Sequence, residues 1–133
     1  MISLSDLDIA AKTVWGEARS EGDLGMLAVA CVIVNRAKRK AGRLADVCLK
    51  PFQFSCWNDN DPNRPLLDDL TLNDSSFQLA MLAALQVIQG LSFPCGVGTE
   101  THYYRAGSPV PHWAVGKQKS FAIGRHIFFS NID

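Results

Sequence analysis

Leu7, Ala11, Val14 and Ala18 recur at spacings of four, three and four, an apolar stripe that predicts an amphipathic helix. Ser5 supplies a capping hydroxyl, and Asp6 and Asp8 place negative charge in the first turn, where the helix dipole favours it. At about 100° per residue, Glu17 falls roughly 80° to one side of the stripe and Trp15 roughly 80° to the other. Glu21-Gly22-Asp23 interrupts the chain, and a second helix is predicted from there to about Arg39. Its segment from Leu24 to Val34 is apolar nearly all round, which marks it as the central helix on which others pack.

Beyond Gly42, residues 44–73 contain Pro51, Pro62, Pro65 and many Asp and Asn. This pattern predicts a short helix over 44–49 and then a loop-rich stretch of the kind that often binds ligands. A third helix is predicted from about Ser75 to Gln89, with Phe77, Met81, Ala84, Leu85 and Ile88 on one face and Gly90 as its stop. The pattern then changes. Thr99 to Arg105 and Arg125 to Ser130 are aromatic and β-prone, separated by an excursion through Pro109, Pro111 and Gly116, which predicts a small antiparallel hairpin with a long loop. The expected fold is therefore α+β, mainly α, in a single domain over 1–133.

Composition adds little to this picture. Hydrophobic residues at 47% and charged residues at 20% are the balance of a soluble globular domain. Thirteen basic residues match thirteen acidic ones, so the net field recommends no partner, and nucleic acid is not expected. A local basic run (Arg36, Lys38, Arg39, Lys40, Arg43) suits either an anionic polymer or the solvated end of a helix; the second reading is adopted. The apolar run of about 11 residues falls short of the roughly 20 that cross a bilayer, so membrane insertion is not expected. Met1 to Asp6 has no signal-peptide character, and synthesis in the cytoplasm is expected.

Cys31, Cys48, Cys56 and Cys95 form no Cys-x-x-Cys pair, which weakens a structural zinc site. Cys31 reads as a buried small hydrophobe, and Cys48 and Cys56 are close enough for a disulfide but are expected to be free thiols. His102, His112 and His126, with Glu100, lack zinc-site spacing. No Gly-x-Ser-x-Gly elbow occurs either. Neither metal nor cofactor is expected.

Glu17 is one of three glutamates. One reading is a surface carboxylate paired with Lys12 or Arg19; its position at the edge of the core suits a sheltered general acid instead. Glycoside hydrolysis usually needs a second carboxylate. Glu21 is nearest in sequence, and Asp59, Asp61, Asp68 and Asp69 lie in the loop region. Glu21 reads equally well as a residue at the start of the second helix satisfying its amides.

Trp15-Gly-Glu-Ala-Arg-Ser-Glu21, Leu27 to Arg36, Pro51-Phe-Gln-Phe-Ser-Cys-Trp57, Thr101-His-Tyr103, Pro111-His-Trp-Ala114 and Ile123 to Phe128 together resemble the cell wall hydrolases related to the spore-cortex-lytic enzyme SleB. The resemblance implies a lysozyme-like domain that cleaves the bond between N-acetylmuramic acid and N-acetylglucosamine in peptidoglycan. It implies a lytic transglycosylase, in which one glutamate protonates the leaving oxygen and then helps the muramic 6-hydroxyl close a 1,6-anhydro ring. By motif that glutamate is Glu17, and no second carboxylate is then required. Ser20 departs from the glycine common in the family.

Around such an acid, Glu21, Ser55 and Tyr103 are candidate support. Gln53, Trp57, His102 and Trp113 are candidate substrate contacts. Gln53 and Ser55 serve equally as loop caps, and the tryptophans equally as buried anchors. The lack of a signal, a wall-binding module or a propeptide suits a phage or prophage endolysin that reaches the wall through a holin-type lesion, and a monomer is expected. Two alternatives stay open: a hydrolytic muramidase with a second carboxylate, and a non-catalytic glycan-binding phage structural protein.

Overall fold

The computed structural model describes residues 2–90 and 99–132. Five helices come first: α1 (Leu4–Ala18), α2 (Gly22–Lys40), α3 (Leu44–Leu49), α4 (Arg64–Asp68) and α5 (Ser75–Ile88). Three strands follow, β1 (His102–Arg105), β2 (Phe121–Ile123) and β3 (His126–Phe129). The expected mainly helical α+β architecture is thus the one observed.

α1 begins two residues earlier than its Ser5 suggested. Ser3 is the cap: its hydroxyl accepts from the Asp6 N–H at 3.1 Å, and Asp6 returns a bond to the Ser3 backbone. This reciprocal box satisfies two otherwise orphaned amides. Asp6 is buried and does more than cap, because it also accepts from the Ala45 N–H and the Arg43 guanidinium. It ties the start of α1 to the start of α3. Burial opposes the charge on Asp6, but the donors from Ala45, Ser3 and Arg43 outweigh it and hold the carboxyl below its usual value.

α2 is the spine. Gly25 to Ile33 is buried without interruption, as its all-round apolar pattern requires, and α1 and α5 pack on it. Ala11, Val14 and Ala18 of the α1 stripe are buried. On α5 the buried line runs through Phe77, Ala80, Ala83, Ala84 and Val87, with Met81, Leu85 and Ile88 on its flank. Three of these five buried residues are alanines, which the larger side chains of the predicted face obscured in the periodicity.

The sheet has the order β1-β3-β2, antiparallel throughout. The anticipated pairing is β1 with β3, in a register that sets Tyr103 opposite Phe128 and His102 opposite Phe129. β2 is an addition: three residues of the excursion, too short to show an alternation, pair with β3 so that Phe121 faces Phe128. Alternation gives the sheet two apolar faces. Tyr103, Phe121 and Phe128 join the helical core, while Tyr104, Ile127 and Phe129 form a second cluster with Trp113, Ala114 and Ile132.

Cys31, Cys48 and Cys56 are buried, and Cys48 and Cys56 are free thiols. Burial pushes the Cys48 thiol up to about 12 and Cys56 higher still, so neither is a thiolate nucleophile. Cys95 lies outside the described residues. Among the described residues no helix is long and apolar enough to cross a membrane.

Candidate active site

Glu17 lies in the last turn of α1, half-buried. Its carboxylate accepts three hydrogen bonds from two distant segments. The Tyr103 phenol donates to Oε1 at 2.8 Å. The Ser55 hydroxyl and the Cys56 backbone N–H donate to Oε2 at 3.3 and 3.2 Å. Ser55 and Cys56 belong to a single 3-10 turn over Ser55–Trp57, and Tyr103 comes from β1.

Each donor is held in place by its own surroundings. The 3-10 turn is pinned to α1 by the Trp57 indole N–H, which donates to Thr13 Oγ1 at 2.9 Å. Tyr103 packs between Phe54, His126 and Phe128. Burial, reinforced by the Glu17 charge and hydrogen bond, raises the Tyr103 phenol well above its usual value. It therefore stays protonated and keeps donating. The start of β1 is in turn fixed by α2: Asn35 donates to the Glu100 carbonyl at 2.9 Å, and Arg36 Nε donates to the Thr101 carbonyl.

Glu21 has a separate set of partners. It stands at the N-cap of α2, yet its side chain makes no capping bond. Instead its carboxylate, 5% exposed, is clamped by Arg125: the backbone N–H at 2.8 Å, Nε at 3.2 Å and Nη2 at 3.0 Å. The Arg125 bonds hold Glu21 below its usual value against the opposing effect of burial. The residue thus joins the α1–α2 corner to the turn between β2 and β3.

A cleft of about 470 Å³ opens beside Tyr103. Gln53, Phe52, His102, Tyr103 and Trp113 line it, facing a basic wall of Arg36, Arg39, Lys40 and Lys50. His102 packs against Trp113 with ring centroids 4.9 Å apart. Burial, with Arg36, Arg39 and Lys40 adding their charge, pushes His102 down to about 4, so the imidazole is neutral near pH 7. Phe52 is 86% exposed and sits at φ 63°, a left-handed conformation that a bulky residue adopts only under constraint. The loop thereby presents an aromatic face at the cleft instead of burying it.

Residues 20–129 match the profile of a family described as Cell Wall Hydrolase. The chain belongs to the cell wall hydrolase family. Similar proteins include the spore cortex-lytic enzyme of Bacillus cereus, 29% identical over 95% of this chain and 44% of that protein. The spore cortex-lytic enzyme of Halalkalibacterium halodurans is 26% identical over 93% of this chain and 34% of its own length. The chain therefore spans less than half the length of these relatives. Two solved structures resemble it throughout. The catalytic domain of the Bacillus cereus SleB protein superposes with a TM-score of 0.77, at 28% identity, covering 96% of this chain and 91% of that one. The catalytic domain of the germination-specific lytic transglycosylase SleB from Bacillus anthracis gives 0.72 at 27% identity, covering 95% and 94%. These relatives are bacterial, and they lend no support to a phage or prophage origin.

Against this hydrolase fold, the residues singled out in the sequence fall into three groups. Glu17, Ser55 and Tyr103 are in direct contact. Gln53, His102 and Trp113 line the cleft that Tyr103 adjoins. Glu21 and Trp57 are engaged elsewhere, Glu21 with Arg125 and Trp57 with Thr13 and the overlying Arg64. Sequence reasoning missed the Cys56 N–H, which carries no side-chain signal, and Phe52. It also assigned the basic run to solvent. The spacing of Arg36, Arg39 and Lys40 at three and four residues puts them on one helix face, and that was the available sign of a shared wall.

Proposed function

We propose that residues 1–133 form one catalytic unit that cleaves the β-1,4 bond between N-acetylmuramic acid and N-acetylglucosamine in the bacterial cell wall, as a lytic transglycosylase, with Glu17 as acid and then base. The observation that carries this reading is the seat of Glu17: a carboxylate gripped on both oxygens by fixed donors, one phenol away from a cleft with aromatic and amide walls, in a member of the cell wall hydrolase family. Lytic transglycosylase is the description of the Bacillus anthracis SleB domain, and it enters here as support by similarity.

In the first step the protonated Glu17 gives its proton to the glycosidic oxygen. The C1–O4 bond breaks with its electron pair on the leaving sugar, and positive charge develops at C1. The resulting carboxylate is the form that the Tyr103, Ser55 and Cys56 donors satisfy, and it lies ready to offset that charge. In the second step the muramic 6-hydroxyl adds to C1 and returns its proton to Glu17. No water is consumed, and the acid is regenerated.

A single carboxyl suffices for this sequence. The partners of Glu17 described above are a phenol, a hydroxyl and an amide. Glu21, the carboxylate nearest in sequence, is committed to Arg125, which favours transglycosylation over hydrolysis by a Glu17–Glu21 pair. Phe52 and Trp113 offer faces for sugar rings, while Gln53 suits acetamido groups.

Product analysis tests the reading. Purified peptidoglycan digested by the enzyme should yield muropeptides with 1,6-anhydromuramic ends by mass spectrometry, and E17Q should yield none. Reducing muramic ends would replace the proposal with a hydrolytic muramidase. Glycan binding without any cleavage by the wild type would make it a binding module.

A further inference from the structure

The chain is electrically balanced, yet its charge is not evenly spent. Arg43 pairs with Asp6, Lys12 with Asp8, Arg64 with Asp68 and Arg125 with Glu21. The wall of the cleft is different. Arg36 and Lys40 project from the last turns of α2, and Lys50 meets them from just beyond α3. Among the described residues no carboxylate lines this cleft. Arg36 bonds to the Thr101 carbonyl and, at 3.4 Å, to the Gln53 amide oxygen, and neutral oxygens satisfy its donors without cancelling its charge. Lys50 lies beside Lys40 and holds it below its usual value, with Arg36 and Arg39 adding to the effect. A second cavity of about 200 Å³ shares Arg36, Lys40, Lys50 and Gln53 and brings in one acid, Asp46.

Like charges gathered in a concave wall repel one another and focus a positive field, and both effects favour an anionic guest. The guest's place is also constrained. Tyr103 bonds Glu17 and lines the same cleft, so a group held against the basic wall must be carried close to the sugar being cleaved. In peptidoglycan the muramic residue bears a lactyl ether extended by a short peptide, whose carboxylates are the anions nearest the bond in question.

We infer that Arg36, Lys40 and Lys50 form a subsite for the carboxylates of the stem peptide, so that the enzyme selects glycan strands that carry free-acid peptides over bare strands. This rests on the peptidoglycan reading above. Arg36 is held in place by Thr101 and Gln53 and supplies a fixed guanidinium charge, while the two lysines supply point charges that tolerate a flexible peptide.

The test compares kcat/KM on three substrates: strands with intact peptides, strands stripped of peptides by an amidase, and peptide-bearing strands stripped of phosphate-containing wall polymer. Wild-type enzyme should prefer the peptide-bearing strands by about tenfold, the equivalent of one or two ion pairs. The double variant K40Q/K50Q should lose most of that ratio, and added salt should erode it in the wild type. Wild-type cleavage of intact and bare strands at equal rates would overturn the inference and leave the peptidoglycan reading standing. So would a ratio that survives in the double variant. A preference abolished by phosphate removal, and indifferent to the peptide, would reassign the wall to phosphate. Failure of the wild type to cleave any strand would sink the underlying reading, and this inference with it.

Discussion

A Cβ placed on Gly16 would stand 2.6 Å from the Cβ of Cys56 and 2.8 Å from its Sγ. The absence of a side chain at position 16 is therefore what lets the 3-10 turn lie directly on α1. That contact brings the Cys56 N–H and the Ser55 hydroxyl to Glu17, the next residue along the helix. Gly16 costs the helix about 1 kcal/mol relative to alanine, and the close approach is what it provides in return.

Gly16→Ala should consequently disturb the acid more than the helix. The gain in helix propensity of about 1 kcal/mol is set against an overpacking cost of about 1–3 kcal/mol. Because the blocking atom is a Cβ fixed to the backbone, the turn itself must move. A melting temperature lowered by a few degrees is expected, together with a loss of kcat well beyond what the folded fraction accounts for. Circular dichroism melts and turnover on peptidoglycan measure the two, and normal kcat in a folded variant would show that the turn does not position Glu17.

Tyr103 and Ser55 reach the same carboxylate with unequal geometry, and their deletions should rank accordingly. The phenol bond is 2.8 Å long and sheltered, whereas the hydroxyl bond is 3.3 Å long and exposed. Tyr103→Phe keeps the packing against His126 and Phe128 but removes the donor. It should lower kcat about 10²-fold, the scale of one preorganised donor at a developing charge, with little change in KM. Ser55→Ala should cost under tenfold. Equal effects, or effects confined to KM, would speak against the arrangement assigned to Glu17.

Glu21 invites the opposite expectation. Its partners are Arg125 and the turn before β3, so Glu21→Gln should weaken the attachment of the sheet to the α1–α2 corner by about 1 kcal/mol, a figure reduced from the usual charged hydrogen bond because Arg125 is about half exposed. Activity per folded molecule should survive. A loss of kcat comparable to that of E17Q, in a variant that melts normally, would restore Glu21 to the chemistry.

Much of this was legible in the chain because helical periodicity and a buried run leave strong traces. The α1 stripe, the all-apolar α2 and the pairing of the two aromatic segments follow from spacing alone. The features that escaped are those with weak or ambiguous local patterns. β2 has too few residues to alternate, Ser3 caps where Ser5 looked equally suitable, and the Cys56 amide is invisible to any reading of side chains. Glu21 showed its sequence position but not its partner, since Arg125 lies 104 residues away. Trp57 was ambiguous between sugar platform and anchor, and its indole N–H is spent on Thr13.

Two histidines make the stability of the protein depend on pH in a window distinct from that of the carboxylates. His102 is pushed down to about 4, chiefly by burial. His126 is lowered too, again chiefly by burial, and its buried Nδ1 has no hydrogen-bond partner among the described residues. In the unfolded chain both rings titrate near 6.5. Below that pH the unfolded state takes up protons that the native state refuses, so stability falls as pH drops, levelling off for His102 below about 4. Glu21 and Asp6, held below their usual values, contribute stability that is fully present above about 4.5 and is lost only at lower pH. Between pH 6.5 and 4.5 the slope therefore belongs mainly to the histidines. The melting temperature of the wild type should decline across this interval, and His102→Gln should remove the larger part of the decline. The same variant should leave the steeper loss below pH 4.5 in place. An unchanged slope between pH 6.5 and 4.5 in His102→Gln would show that the ring is not held neutral by its burial against Trp113.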